Sequence, residues 1–141
     1  KRVFVIVGDG AFQMTGMELS TAARYGMAPI VLILNNEGYG TQRLILDGRF
    51  NDIGNWDYTK VCEVIRCGQA TVVQTKGQLD GALTNALSSR ELSIIEIRLP
   101  RDSYSPAMRR LGEELARLRG PSHGSERSSH ARRRNASDRR K

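Results

Sequence analysis

Two short apolar runs, each ending abruptly in a polar turn, constrain this chain more than any other feature. Residues 3–7 (VFVIV) are continuous and rich in β-branched side chains, and they stop at Gly8-Asp9-Gly10. Residues 30–34 (IVLIL) are equally apolar and stop at Asn35-Asn36-Glu37-Gly38-Tyr39-Gly40. Runs of this length without polar alternation read as strands covered on both faces, as in a parallel sheet. A helix is predicted between them, from Met14 or Thr15 to Tyr25: Thr15 and Glu18 have capping-box spacing, and Gly26 and Pro29 mark its end. Glycine and asparagine recur through residue 55, which predicts a long irregular stretch after the second strand.

Regular patterns then resume. A short helix is predicted near residues 59–66, a strand over 70–74, a helix over 77–88 introduced by the capping-box pair Thr75 and Gln78, and a strand over 93–99. Pro106 after Ser105 has the order of a first helical residue after its cap. Met108, Leu111, Leu115 and Leu118 form one apolar stripe, and Gly120 marks the end. Strands alternating with helices predict an α/β fold, a three-layer parallel sheet with helices on both faces and right-handed crossovers.

The net charge of +7 invites a nucleic-acid reading until it is located. Residues 121–141 hold seven Lys or Arg against Glu126 and Asp138, a net +5, which leaves +2 for residues 1–120. The expected organisation is therefore one domain over 1–120 and a disordered basic tail over 121–141 with almost nothing apolar to bury. The tail has no aromatic interleaving, so no specific nucleic-acid binding is expected, only salt-sensitive attraction to anionic surfaces. No apolar run approaches the roughly 20 residues of a membrane span, and no signal-peptide layout is present, so the expected setting is cytoplasmic. Cys62 and Cys67 have no metal-site spacing and read as ordinary buried or half-buried thiols. His123 and His130 both fall in the tail, which removes histidine-based nucleophilic schemes and histidine-ligated metals from the folded part.

In open parallel sheets ligands bind beyond the carboxyl ends of the strands, so the loops after residues 7 and 34 are the ones to compare. The strand–helix–strand unit is short, so its strands should be neighbours and bring Asp9 and Asn36 to the same edge. A carboxylate, an amide oxygen and a glycine carbonyl are hard donors of the kind Mg²⁺ or Ca²⁺ takes, and the Gly10 and Ala11 amides stand where a phosphate would meet a helix start. Either loop alone is an ordinary turn; their joint placement, with 24 residues between Gly10 and Asn35, is what carries the reading. A dinucleotide fingerprint would want glycine at Gln13 and an acid at Asn35, and no Gly-Lys-Ser or Gly-Lys-Thr exists for a P-loop.

Gly8-Asp9-Gly10 followed by Asn35-Asn36 resembles the thiamine-diphosphate motif, and residues 3–118 resemble the C-terminal pyrophosphate domain of thiamine-diphosphate-dependent 2-oxo acid decarboxylases. Gly38-Tyr39-Gly40-Thr41, Phe50-Asn51-Asp52-Ile53, Trp56 and Tyr58 liken it to the pyruvate and indolepyruvate decarboxylase branch. The resemblance implies Mg²⁺ on the side chains of Asp9 and Asn36 and the carbonyl of Gly38. It places Gly8, Gly10, Ala11 and Tyr39 with them at the thiamine diphosphate. Gln42 stands where the branch carries a glutamate that takes part in the chemistry, and an amide cannot exchange a proton as a carboxyl does. Members of the family are several times longer, form homodimers or homotetramers, and complete the cofactor site with a pyrimidine-binding domain. The expectation is thus a truncated cofactor-binding domain of a 2-oxo acid decarboxylase that is not competent as an isolated chain. The alternatives are a domain of an acetolactate-synthase-like carboligase, or a non-catalytic fold remnant that partners a full-length paralogue.

Other residues receive plainer readings. Trp56 and Tyr58 are expected to pack beneath a loop. Leu44-Ile45-Leu46 reads equally as a pocket lining and as a helix face in the core. Arg43 and Arg49 are expected to be solvated loop arginines, and the helix after Pro106 to dock on its own domain.

Overall fold

The computed structural model describes residues 1–119; the basic tail expected over 121–141, with both histidines, lies outside them. Four strands form one all-parallel sheet: β1 (Phe4–Gly8), β2 (Ile30–Asn35), β3 (Gln69–Val73) and β4 (Ser93–Arg98), in spatial order β1-β2-β4-β3. Helices α1 (Asp9–Thr15), α2 (Leu19–Arg24), α3 (Gly40–Ile45), α4 (Lys60–Ile65), α5 (Lys76–Ser88) and α6 (Pro106–Arg119) surround it.

Both sheet faces are covered, because alternate residues of the central strands point in opposite directions. Val31, Ile33 and Ile94 pack with Phe12 of α1, Leu19 of α2, and Val61 and Cys62 of α4. Ile30 and Ile95 pack on the other face with Leu79, Leu83 and Ala86 of α5. This is the expected three-layer α/β architecture. The register pairs Gly8 with Leu34 and Asn35 with Arg98, so the strands end level with one another and their outgoing loops share one edge.

Several elements depart from the sequence reading. β1 is not covered on both faces: it forms a sheet edge, with Phe4, Val5 and Ile6 exposed by 48, 38 and 69%. Only Val7 of this strand packs against the Phe12 core. The first helix begins at Asp9, directly after β1, and is interrupted by a 3-10 turn at Gly16–Glu18. Thr15 makes no capping bond. The backbone leaves helical geometry at Thr15, with φ −138° and ψ 3°, and the Phe12 ring lies against Gly16, where a Cβ would come within 2.5 Å of it. The expected C-terminal stop does form: Gly26, at φ +63°, donates to Ala23 O and Met27 donates to Ala22 O, the pair of bonds of a Schellman motif.

The stretch after β2 is more ordered than its composition suggested. It contains α3 and a 3-10 turn at Arg49–Asn51, joined back by a bridge between Gly38 and Asp52. At α5 both capping-box bonds are present between Thr75 and Gln78. At α6, Ser105 Oγ accepts from the Met108 N–H at 3.2 Å, and the helix lies on α3 with Gly112 against Leu44. Its expected apolar stripe is only partly used, since Leu111 and Leu118 stay exposed.

Candidate functional site

The site is built from three loops at the carboxyl edge of the sheet. The first follows β1. Asp9 opens α1 and is almost wholly buried, with Oδ1 accepting from the Gly10 N–H at 2.9 Å and Oδ2 accepting from the Gly38 N–H at 2.9 Å. One carboxylate thus fastens the loop after β1 to the loop after β2. Gly10 lies against Tyr39, where a Cβ would meet the ring at 2.6 Å, so a larger residue would have to displace the ring.

The loop after β2 is shaped by its first residue. Asn35 is buried; its Oδ1 accepts from the Glu37 N–H at 3.2 Å, and its Nδ2 donates to Glu96 Oε1 at 2.8 Å and to Asn55 Oδ1 at 3.1 Å. Glu37 and Gly38 have φ of +60° and +141°. Glu96 itself has no exposed surface. Its Oε1 also accepts from Arg98 Nε at 3.0 Å, and its Oε2 has no hydrogen-bond partner among the described residues. Tyr58 is buried close by with its ring edge-on to Phe12, and its hydroxyl accepts from Gln13 Nε2 at 3.0 Å. Burial raises the Tyr58 pKa, and the neighbouring Asp9 and Glu96 carboxylates add to the effect.

These loops enclose a cleft of about 570 Å³. Asp9, Asn36 and Gly38, read as metal donors, line it together, and so do Gly8, Gly10, Ala11 and Tyr39. Gln42 reaches the same cleft from α3. Among the described residues no group of three or more His, Cys, Asp or Glu is placed to hold a metal ion. A cation here would therefore meet one carboxylate and neutral amide and carbonyl oxygens. Such a donor set suits a hard divalent ion whose remaining charge is matched by phosphate oxygens.

Two features escaped the sequence reading. The opposite wall of the cleft comes from the loop after β4 and the start of α6, through Ser103, Tyr104, Ser105 and Met108. Because β4 pairs directly with β2, its outgoing loop opens on the same edge, and the rule applied to the first two strands would have found it. The second is Arg43, expected to be solvated. Its side chain is only 6% exposed and its guanidinium donates to backbone carbonyls of the surrounding loops. Arg49 does remain exposed, and neither Trp56 nor Tyr58 lines the cleft. Tyr58 is a packing residue as expected, whereas Trp56 leans on the Tyr58 ring from the surface and is 42% exposed, not covered by a loop. Leu44 faces Gly112 of α6, and neither Leu44, Ile45 nor Leu46 lines the cleft.

The fold and the cleft together define an α/β domain whose polar loops gather at the carboxyl edge of a parallel sheet, where ligands of such sheets bind. Within that class the chain belongs to the thiamine pyrophosphate enzymes, since the family described as their C-terminal TPP binding domain matches residues 1–97. It is 39% identical over 106 residues to an alpha-keto-acid decarboxylase of Mycolicibacterium paratuberculosis, covering 72% of this chain and 19% of that one. It is 34% identical over 122 residues to pyruvate decarboxylase 1 of Pisum sativum, covering 82% and 21%. A solved structure, the thiamine diphosphate-dependent 4-hydroxybenzoylformate decarboxylase of Rhodococcus jostii RHA1, superposes with a TM-score of 0.66 at 25% identity, covering 73% of this chain and 21% of that chain. The likeness to 2-oxo acid decarboxylases read from the motif thus holds in sequence and in structure. The chain spans about a fifth of the length of the curated relatives it matches. Among the described residues no helix is long and apolar enough to cross a membrane.

Proposed function

We propose that this chain supplies the diphosphate-binding, Mg²⁺-binding end of a thiamine-diphosphate-dependent 2-oxo acid decarboxylase. The observation that carries the reading is the buried Asp9 carboxylate, whose bond to the Gly38 amide brings both halves of the motif to one cleft. Asp9 and Asn36 would hold Mg²⁺ by their side chains and Gly38 by its carbonyl. Gly8, Gly10, Ala11 and Tyr39 would lie against the diphosphate, where the backbone amides at the start of α1 favour anionic oxygens. When bound, the cofactor supplies the nucleophilic carbon and the electron sink for loss of CO₂ from a 2-oxo acid.

Gln42 is exposed to the cleft and offers hydrogen bonds without proton transfer. In this reading a pyrimidine-binding partner completes the site in a cytoplasmic homodimer or homotetramer, and these 141 residues alone do not decarboxylate. Residues 1–120 form the cofactor domain, and the basic charge of 121–141 has no part in it. The glutamine at position 42 also favours a second reading, a non-catalytic partner of a full-length paralogue.

Thermal unfolding with thiamine diphosphate, with and without Mg²⁺, tests the proposal. A ligand that binds the folded state alone raises its melting temperature, and the increase should need both ligands together. Asp9→Ala and Asn36→Ala should abolish it. A melting temperature indifferent to both ligands in the unaltered chain would sink the reading, and turnover of a 2-oxo acid by it would refute its catalytic incompleteness.

A further inference from the structure

Arg43 is the best-connected buried cation beside the cleft, yet it does not line it. Its Nη2 donates to Glu37 O at 2.5 Å and to Asn51 O at 3.5 Å, and its Nη1 donates to Asn36 O at 3.1 Å and to Arg101 O at 3.3 Å. The Asp52 carboxylate is its ion-pair partner at 3.5 Å, partly open to solvent and shared with Arg101. Most of the guanidinium contacts are therefore neutral carbonyls, gathered from three separate loops. Its Nε is buried without a partner among the described residues, so the two terminal nitrogens set its position.

The peptide it holds is the one that forms the candidate metal site. Glu37 is a non-glycine residue in the left-handed region, at φ +60°, a conformation that L side chains adopt only when their surroundings enforce it. Two bonds enforce it here, Asn35 Oδ1 on the Glu37 N–H and Arg43 on the Glu37 carbonyl. A side chain at Gly38 would collide with Arg43 Nη2 and with the Asn51 carbonyl, so the loop and the guanidinium are fitted to each other. Asn51 O also accepts from the Tyr39 N–H at 2.9 Å, which carries the same framework to the next cleft residue.

We propose that Arg43 is a positioning residue: its guanidinium fixes the Asn36-Glu37-Gly38 backbone in the conformation that presents Asn36 and Gly38 to the cleft, and ties that loop to the opposite wall at Arg101. The inference rests on the reading of Asp9, Asn36 and Gly38 as the cofactor site. A planar fork with five donors reaches several carbonyls at fixed angles, whereas a lysine ammonium on a flexible stem does not.

The test uses the 141-residue chain with Arg43→Met, Arg43→Lys, Glu37→Gly and the Arg43→Met/Glu37→Gly pair. Two readouts are needed: hydrogen exchange of the Gly38 amide without ligand, and the affinity for thiamine diphosphate with Mg²⁺ followed by thermal shift. Arg43→Met should speed Gly38 exchange and weaken the affinity, each by about tenfold, the loss equivalent to one typical hydrogen bond. Arg43→Lys should behave like Arg43→Met. Glu37→Gly relieves the left-handed conformation and should restore part of both in the Met background while changing neither in the Arg background.

Unchanged Gly38 exchange and affinity in folded Arg43→Lys would overturn the proposal, and so would a Glu37→Gly effect of equal size in both backgrounds. If the unaltered chain ignores the cofactor, the site reading fails on that measurement, while Gly38 exchange still decides whether Arg43 positions the loop.

Discussion

Asp9 and Gly38, 29 residues apart in the chain, are joined by a 2.9 Å hydrogen bond from the Gly38 amide to the Asp9 carboxylate. Because the other carboxylate oxygen takes the Gly10 amide, Asp9 is oriented from both sides before any ligand arrives. Preorganisation of this kind places a charged donor without requiring the loop to reorder on binding.

That relationship predicts different costs for two substitutions at one position. Asp9→Ala leaves the Gly10 and Gly38 amides without acceptors in a buried setting, and should destabilise the ligand-free chain by about 2–6 kcal/mol at roughly 1–3 kcal/mol per unsatisfied group. Asp9→Asn keeps one acceptor but turns its NH₂ toward whichever amide lost the other, and should cost about half as much. Urea unfolding of the two variants checks the order. Equal stabilities for Asp9→Ala and the unaltered chain would mean that the carboxylate does not hold the two loops together.

Asn35 and Glu96 form the layer beneath. Glu96→Leu removes one acceptor of the Asn35 amide and should cost about 2–3 kcal/mol, since bonds to charged groups lie in the range of roughly 1.5–3 kcal/mol. Arg98, half-exposed, can turn to solvent and contributes little to that loss. Glu96→Gln retains an acceptor and should cost under about 1 kcal/mol. In a double-mutant cycle by chemical denaturation, Glu96→Leu with Asn35→Leu should be less destabilising than the sum of the single changes, because both polar partners leave together. Strict additivity would show that the 2.8 Å bond between them adds nothing to stability.

The edge that gathers the cleft was legible in the sequence because it depends on local patterns. Uninterrupted apolar runs identify the strands, a short connection makes them neighbours, and the parallel rule places Gly8-Asp9-Gly10 beside Asn35-Asn36. Features that depend on packing between distant segments were not legible. The break in the first helix, at Thr15, carries no residue-type signal either, because Thr15 and Glu18 have capping-box spacing and yet no capping bond forms. Apart from Asp52, the partners of Arg43 are backbone carbonyls, which carry no residue-type signal, so its reading as a solvated arginine failed. β1 looks like a central strand because its residues are those of a central strand; its exposed edge is a property of what pairs with it, and β2 alone does so among the described residues.

Cys62 gives a pH prediction with a definite sign. Burial, with a smaller contribution from nearby Cys67, pushes its thiol from 9.0 up to about 11. In the unfolded chain the thiol loses its proton near the lower value and in the folded chain only near the higher, so between them the folded state binds more protons. Stability contributed by this group is therefore present below pH 9.0 and is lost as pH rises toward about 11. Urea unfolding across that window should show a decline that Cys62→Ala flattens. A thiol-reactive dye at pH 8 should label half-buried Cys67 well before buried Cys62. Equal labelling rates would show that Cys62 is not protected as its burial requires.

Gly112 sets two effects of opposite sign against each other. In the interior of a helix, replacing glycine by alanine ordinarily stabilises by about 1 kcal/mol. Here the added methyl would stand 2.8 Å from Leu44 Cβ and 3.2 Å from the Leu44 carbonyl, where α6 crosses α3. Both neighbours belong to a helix backbone or its first side-chain atom, so neither can swing away as the end of a flexible side chain would. Overpacking of this kind costs about 1–3 kcal/mol, which outweighs the propensity gain. Gly112→Ala should therefore be net destabilising by up to about 2 kcal/mol. Leu44→Ala cannot remove the Cβ and carbonyl contacts, so it should not rescue the variant. Because Ser105 and Met108 at the start of α6 line the cleft, the same displacement should lower the Mg²⁺-dependent thermal shift with thiamine diphosphate. A more stable Gly112→Ala chain would show that α6 is free to move off α3, and would remove the opposite wall of the cleft from the site.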